Sequence, residues 1–288
     1  MDNFVYDSGI RSETPPPLIS AKQDIIIKAK QTNDDHFWDH MRTVFADDYN
    51  NLPLDRFRVW QSVLSVPLMV RSRFHFYFAT AFSAAAKDPV YAEALEQPLI
   101  GMTANDYDML FRVVDDFQTT ANRIQNLSHL LLGGLNADSF KQFNSVAELG
   151  AGVGDMATII HKLGFRGRYQ IYDFPELGAI QKWHHEAAGI DNVEYISNVN
   201  QLKPADLVIA TWSLTEMPLA LRAQVEKQLE GSDRWIVAYS NQIFGMDNAA
   251  YMKQFAESLT TAGSNVSFLD VPFMPWDGGT RYMFAKPE

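Results

Sequence analysis

Glu148, Gly150, Gly152 and Gly154 fall in the run E-L-G-A-G-V-G-D, directly after a short β-rich segment, and Asp173 closes a second such segment in Y-D-F-P-E-L. Glycines at alternate positions tolerate positive φ and let the backbone approach a ligand closely where a strand turns into a helix. A carboxylate about 20 residues further on can accept both hydrogens of a ribose diol. The bland alternatives are a tight strand–helix connection without a ligand and a helix-capping aspartate. The matched spacing of loop and acid favours a ligand. A dinucleotide fingerprint needs a small residue at the third position of G-x-G-x-x-G/A, where this chain has Asp155, and a P-loop needs Gly-Lys-Ser/Thr, which is missing here. The loop is therefore poorly built for a pyrophosphate.

A third constellation follows the run DLVIAT at 206–211, which leads into W-S-L-T-E-M-P. In doubly wound sheets ligands bind beyond the carboxyl ends of the strands, at the point where the strand order reverses, and Thr211, Trp212 and Ser213 occupy that place. The glycine run resembles motif I of the class I S-adenosylmethionine-dependent methyltransferases. Together with Y-D-x-P-E-L and S-x-x-E-M-P, it is similar to the sugar O-methyltransferase group of that superfamily. The resemblance spans about residues 140–288 for the superfamily, and only the short motifs for the subgroup. It implies S-adenosylmethionine as cofactor. The three glycines would wrap its methionine half and Glu148 would orient its amino-acid portion. Asp173 would hold the ribose, Phe174 would pack on the adenine, and Asn198 would read the adenine amino group unless it merely closes a turn. Thr211, Trp212 and Ser213 would stand where sulfonium and acceptor meet.

Methyl transfer is an in-line displacement that needs alignment and exclusion of water. A hydroxyl acceptor must also lose a proton, so a general base is expected. Glu216 is the first candidate, its alternative being a first-turn residue of the next helix, where an acid suits the helix dipole. His75 is the second, since imidazole titrates near neutral pH, although a lone histidine in an aromatic helical stretch also reads as a bonded core residue. Asn241 and Gln242 after the fifth strand, Trp276 and Tyr282 from the terminal hairpin, and Tyr77 from the aromatic run around Phe74 are the acceptor-side candidates. His184 and His185 read as surface or partial core, away from the mouth. No metal is expected, because a hard divalent cation wants several oxygen ligands and the fourth strand is followed by Glu216 alone.

The elements that must carry these residues alternate. Runs at 145–149, 168–172, 193–197, 206–211 and 235–240 are short and β-rich, with helical apolar spacing between them. Such alternation predicts a Rossmann-like α/β fold with a mostly parallel sheet. The last two runs, 265–271 and 280–286, predict an antiparallel terminal hairpin at the sheet edge. Ahead of this domain, at 141–288, residues 21–140 read as a helical cap or dimerisation region, and 1–20, with three consecutive prolines, as a flexible arm. The clearest helix in the cap is predicted over 105–132, with Asn105 as N-cap and Gly133-Gly134 as stop.

Composition sets the outer limits. The 288 residues carry a net charge of −11, with 47% hydrophobic and 20% charged side chains, as in an ordinary folded protein. No cysteine is present, which excludes disulfides, thiolate nucleophiles and cysteine-based metal sites. The acidic balance argues against a nucleic-acid binder. No apolar run approaches the roughly 18 residues of a membrane span, and MDNFVYDSGI lacks the pattern of a secretory leader, so a cytoplasmic location is expected. The resulting expectation is a methyltransferase acting on a polar small molecule with a sugar-like hydroxyl, and a homodimer through the cap. The rivals are a small-molecule N-methyltransferase, a non-catalytic S-adenosylmethionine-binding protein and a nicotinamide-dependent oxidoreductase.

Overall fold

The computed structural model describes residues 71–96, 110–112, 118–243, 245–271 and 280–288. The predicted arm at 1–20, the cap up to residue 70, and Asn105 and Trp276 lie outside the described residues.

Each β-rich run forms a strand within a residue or two of its predicted bounds. β3 (Ser145–Leu149), β4 (Arg168–Tyr172), β5 (Val193–Ile196), β6 (Leu207–Thr211), β7 (Arg234–Ser240), β10 (Ser264–Asp270) and β11 (Thr280–Pro287) make one sheet. It is seven-stranded, in the order β10-β11-β7-β6-β3-β4-β5. β3 through β7 run parallel, and β11 is antiparallel to both β7 and β10. The first strand of the sheet thus lies between the second and the fourth, so the direction of winding reverses at β3 and β6. The chain ends of both strands open on one crevice, which is where such sheets bind ligands.

Helices α5 (Asp155–Lys162), α6 (Pro175–Ala187), α8 (Leu219–Gln228) and α9 (Asn248–Thr261) connect the strands. Alternation along β3 assigns the two faces. Val146 joins an apolar cluster with Ile159, Ile171, Ile209, Ile236 and Tyr282, while Ala147 and Leu149 join a second with Val208, Val225, Val237 and Phe255.

The N-terminal elements belong to the first cluster. α1 (Arg71–Ala85) contributes Tyr77 and Ala81, α2 (Pro89–Leu95) contributes Ala94 and Leu95, and α3 (Ala121–Leu132) contributes Ile124, Leu127 and Leu130. α2 begins as its sequence dictates, with Asp88 capping the Val90 amide at 3.0 Å and Pro89 in the first turn. α3 ends at Gly133, where a Cβ would stand 2.6 Å from Ile236 Cδ1 of the sheet. A short helix, α4 (Ala137–Gln142), follows before β3.

The helix predicted over 105–132 is corrected. β1 (Leu110–Arg112) pairs antiparallel with β2 (Gln118–Thr120), and helix begins only at Ala121. Apolar spacing runs through both parts, but Thr119-Thr120 decides the boundary. β-branched residues favour extended backbone, and the Thr120 hydroxyl accepts the Arg123 amide at 3.4 Å as an N-cap. Among the described residues no helix is long and apolar enough to cross a membrane.

Candidate active site

The three loop glycines all have positive φ: +68° at Gly150, +57° at Gly152 and +83° at Gly154. They are glycine for different reasons. A Cβ at Gly150 would stand 2.5 Å from Ser213 Cβ, and one at Gly154 would stand 2.6 Å from His185 Nε2. A Cβ at Gly152 would meet nothing within 4 Å. The outer two are closed by the protein's own packing; the middle one borders open space.

Asp173, at the end of β4, closes on that middle glycine. Its Oδ2 accepts the Gly152 amide at 3.1 Å and Gln181 Nε2 at 2.8 Å, and its Oδ1 accepts the Phe174 amide at 2.8 Å. Burial pushes its carboxyl up to about 6, against the pull of these hydrogen bonds. A carboxylate offers about four acceptor positions, so a ribose diol arriving here would replace at least one present donor. Glu148 lies buried on the same face of β3 as Val146, and Tyr169 donates to its Oε2 at 2.6 Å. Burial raises its carboxyl to about 8, and the charges of Asp173 and Asp155 push the same way.

Asp155 opens α5 and is buried, with Arg123 Nη1 at 3.5 Å and His184 Nε2 at 4.0 Å. The sequence showed Asp155 only as a residue too large for a dinucleotide loop. Its partner Arg123 comes from α3, is fully buried, and also donates to Thr158 Oγ1 at 2.7 Å and to the carbonyls of Ala94 and Leu95. His184 and His185, expected at the surface or partly buried and away from the mouth, are corrected: both are fully buried and both contact the glycine loop. The crossover that carries α6 back over the sheet brings them there.

At the end of β6, Thr211 and Trp212 are half-buried. Trp212 has φ +67°, the only positive φ at a non-glycine among the described residues. Its amide donates to the Ala238 carbonyl at 2.7 Å, and its ring meets His129 edge-on at 5.4 Å. Ser213, which covers Gly150, donates its hydroxyl to the Leu149 carbonyl. One helical turn, α7 (Ser213–Glu216), follows β6 and carries the half-buried Glu216 as its first-turn acid, which is the alternative reading of this residue; the longer α8 starts beyond Pro218. The carbonyls on either side of Glu216 are held by Arg222, which donates to Thr215 O at 2.6 Å and to Met217 O at 2.8 Å. Arg222 is itself buried and lies 4.5 Å from the Tyr251 ring centroid.

The acceptor-side candidates are scattered. Tyr77 and Tyr282, expected on the acceptor side, are sealed in, only 2% and 0% exposed. They form a chain in which the Tyr282 hydroxyl lies 2.8 Å from that of Tyr77 and 2.6 Å from His129 Nδ1. Burial lowers the His129 imidazole to about 3, so it is neutral. Nothing in the spacing of its helix marked His129 as a member of this chain, of which Tyr282 is the middle. Asn241 is half-buried, and its carbonyl accepts the Asn248 amide at 2.9 Å at the start of α9. Gln242 is exposed in the two-residue strand β8 (Gln242–Ile243), paired with β9 (Met246–Asp247). Asn198 is exposed and accepts the Asn200 amide at 3.1 Å, capping a short 3-10 turn. Phe174 is half-buried at the N-cap of α6, with Pro175 first in the helix as its sequence requires. His75 lies within α1, its side chain outside the described residues. Among the described residues no three histidines or carboxylates converge as a metal set.

The chain matches no protein family and no curated protein. The solved structures it is similar to include the following three, each at low identity. Magnesium protoporphyrin IX methyltransferase (ChlM) from Synechocystis PCC 6803, with bound SAM, is 16% identical, covering 58% of this chain and 82% of that one at a TM-score of 0.43. An rRNA methylase from Streptococcus thermophilus is 15% identical, covering 56% and 95% at 0.42. The N-methyltransferase NodS from Bradyrhizobium japonicum WM9, in complex with S-adenosyl-l-homocysteine, is 15% identical, covering 57% and 88% at 0.39.

Proposed function

We propose that this chain is an S-adenosylmethionine-dependent methyltransferase acting on a polar small molecule, with a sugar-like hydroxyl as acceptor. The observation that carries the reading is the pairing of Gly152 and Asp173. The one loop glycine that borders open space has its amide held at 3.1 Å by the carboxylate ending the neighbouring strand. The two are joined at the carboxyl ends of β3 and β4, beside the point where the sheet reverses.

S-adenosylmethionine, when bound, supplies a methyl group on a sulfonium centre. Gly152 gives the backbone approach, Asp173 takes the ribose hydroxyls, and Glu148 faces the cationic amino-acid end. Phe174 and Asn198 lie on the adenine side. Thr211, Trp212 and Ser213 close the crevice at β6 and exclude water from the transfer. Glu216 accepts the proton of the acceptor hydroxyl, on a segment that Arg222 keeps from moving. The region 21–140 caps the site and sets acceptor choice, and its apolar helices serve as a homodimer face.

Calorimetric titration with S-adenosylmethionine and, separately, NAD tests the cofactor. Mass spectrometry of a cell extract treated with enzyme and S-adenosylmethionine, seeking a product heavier by one CH₂, tests the transfer. Binding of NAD alone would overturn the reading, and binding of S-adenosylmethionine without any methylated product would leave a non-catalytic binder.

A further inference from the structure

Three consecutive carbonyls of the glycine loop end on three side chains of one helix. Gln181 Nε2 donates to Gly152 O at 2.9 Å, His184 Nδ1 lies 3.1 Å from Val153 O, and His185 Nε2 lies 2.8 Å from Gly154 O. A carbonyl only accepts, so each of these ring nitrogens carries a hydrogen. In His185 the other nitrogen then accepts from the Tyr195 hydroxyl, at 2.9 Å. The donors sit at i, i+3 and i+4 of α6, which places them on one helical face. All three are fully buried.

The consequence follows from peptide geometry. None of these loop peptide bonds is cis, so each carbonyl points opposite to the N–H of the same peptide unit. With three carbonyls drawn toward α6, the amides of Val153 and Asp155 point to the other side, while that of Gly154 is taken by the Ala151 carbonyl at 2.9 Å, which closes the turn. A loop free to turn these peptides would present acceptors there instead. The glycine pattern itself bears the mark of the arrangement, since a side chain at Gly154 would collide with His185.

We infer that Gln181, His184 and His185 are positioning residues that set the ligand-facing side of the glycine loop by holding its three carbonyls. The inference rests on the cofactor reading above and adds to it which residues outside the loop determine affinity.

Atom-matched substitution tests it. Asparagine can place a donor where His184 Nδ1 stands, and glutamine where His185 Nε2 stands. His184→Leu and His185→Leu should each weaken S-adenosylmethionine binding by at least about tenfold, since a buried carbonyl is left without its donor. His184→Asn and His185→Gln should recover most of that affinity, whereas His184→Gln and His185→Asn should not. Amide hydrogen exchange over residues 150–155 in the ligand-free protein should follow the same order, fast in the leucine variants and slow in the matched ones. The exchange readout separates two failures. Wild-type protein that binds no S-adenosylmethionine refutes the cofactor reading, while loop exchange still decides the role of the helix. Leucine variants with wild-type exchange, or losses that track melting temperature regardless of which nitrogen is replaced, would overturn the inference.

Discussion

The Asp173 carboxylate and the Gly152 amide are 3.1 Å apart, and the bond joins the ends of two neighbouring strands, β3 and β4, beside the crevice. Asp173→Ala removes this bond, those to Phe174 and Gln181, and the proposed ribose contact. Affinity for S-adenosylmethionine should fall at least about tenfold, as expected for hydrogen bonds to a charged group. The melting temperature should move little, because the desolvated carboxylate is already held near its pKa at neutral pH and its bonds are partly offset by burial. Calorimetry and thermal melts on the same sample check both halves.

Buried Glu148, half-buried Asp173 and buried His129 set the pH dependence of the fold. Asp173 is raised to about 6 and Glu148 to about 8, so between roughly pH 4 and pH 8 these two groups bind more protons in the folded protein than in the unfolded chain, while His129, lowered to about 3, offsets part of that difference below about pH 6.5. Stability should therefore be greatest on the acid side of this window and decline as pH rises through it. Glu148→Gln should flatten the upper part of the decline. A melting temperature that rises from pH 5 to pH 8 would contradict the assignment.

Gly150 and Gly152 should fail in different ways. Gly150→Ala meets Ser213 Cβ at 2.5 Å in a left-handed backbone, and the backbone part alone costs about 1–2 kcal/mol. It should lower the melting temperature, and adding Ser213→Gly should restore part of the loss. Gly152→Val carries the same left-handed strain, heavier for a β-branched side chain, but its Cβ meets no protein atom within 4 Å, so it should fold with a lowered melting temperature and yet bind no cofactor. Normal binding by that variant would misplace the ligand.

Glu216→Gln keeps a hydrogen-bonding side chain of the same shape without the proton acceptor. Turnover should fall by about 10²–10⁴, the usual worth of a positioned base. The wild-type rate should rise with pH through an ionisation that the variant lacks. A change confined to the acceptor KM would instead mark Glu216 as a holding group, since uniform binding leaves kcat untouched.

Arg123→Met should be among the most damaging single changes. It leaves Asp155 buried without its cation and takes donors from Ala94 and Leu95, and breaking such a pair costs about 3–5 kcal/mol. A fragment starting at Leu135 should likewise fail to fold, because it discards Ile124, Leu127 and Leu130 from the core they share with the sheet. Denaturant titration of the variant and circular dichroism of the fragment check these outcomes.

The sheet was legible because each strand is a short β-rich run with a helix-length gap on either side, and the terminal hairpin because its gap is too short for a helix. The distance from Gly152 to Asp173 was legible for the same reason: one strand, one helix and two tight turns fix it. What escaped was decided by contacts between distant segments. Apolar spacing at 105–132 does not distinguish a helix from a strand pair followed by a helix, and the difference lay in the capping hydroxyl of Thr120. Arg123, His129, Arg222 and the pair His184-His185 look like ordinary surface or helix residues until the fold brings a carbonyl, a phenol or a carboxylate to them. For His184 and His185 a signal was present, since Gln181 precedes them at helical spacing, but their targets lie 31 residues earlier in the chain.

Trp212 stands in a backbone conformation that suits glycine, at φ +67°. Trp212→Gly would relax that turn and empty the space beside His129 in the same stroke. The strain released is about 1–2 kcal/mol, whereas a packed tryptophan ring contributes about 3–5 kcal/mol, so the ring holds the strained turn in place. A library randomised at position 212 and sorted for survival of heating should therefore keep aromatic side chains in spite of the backbone, with glycine depleted.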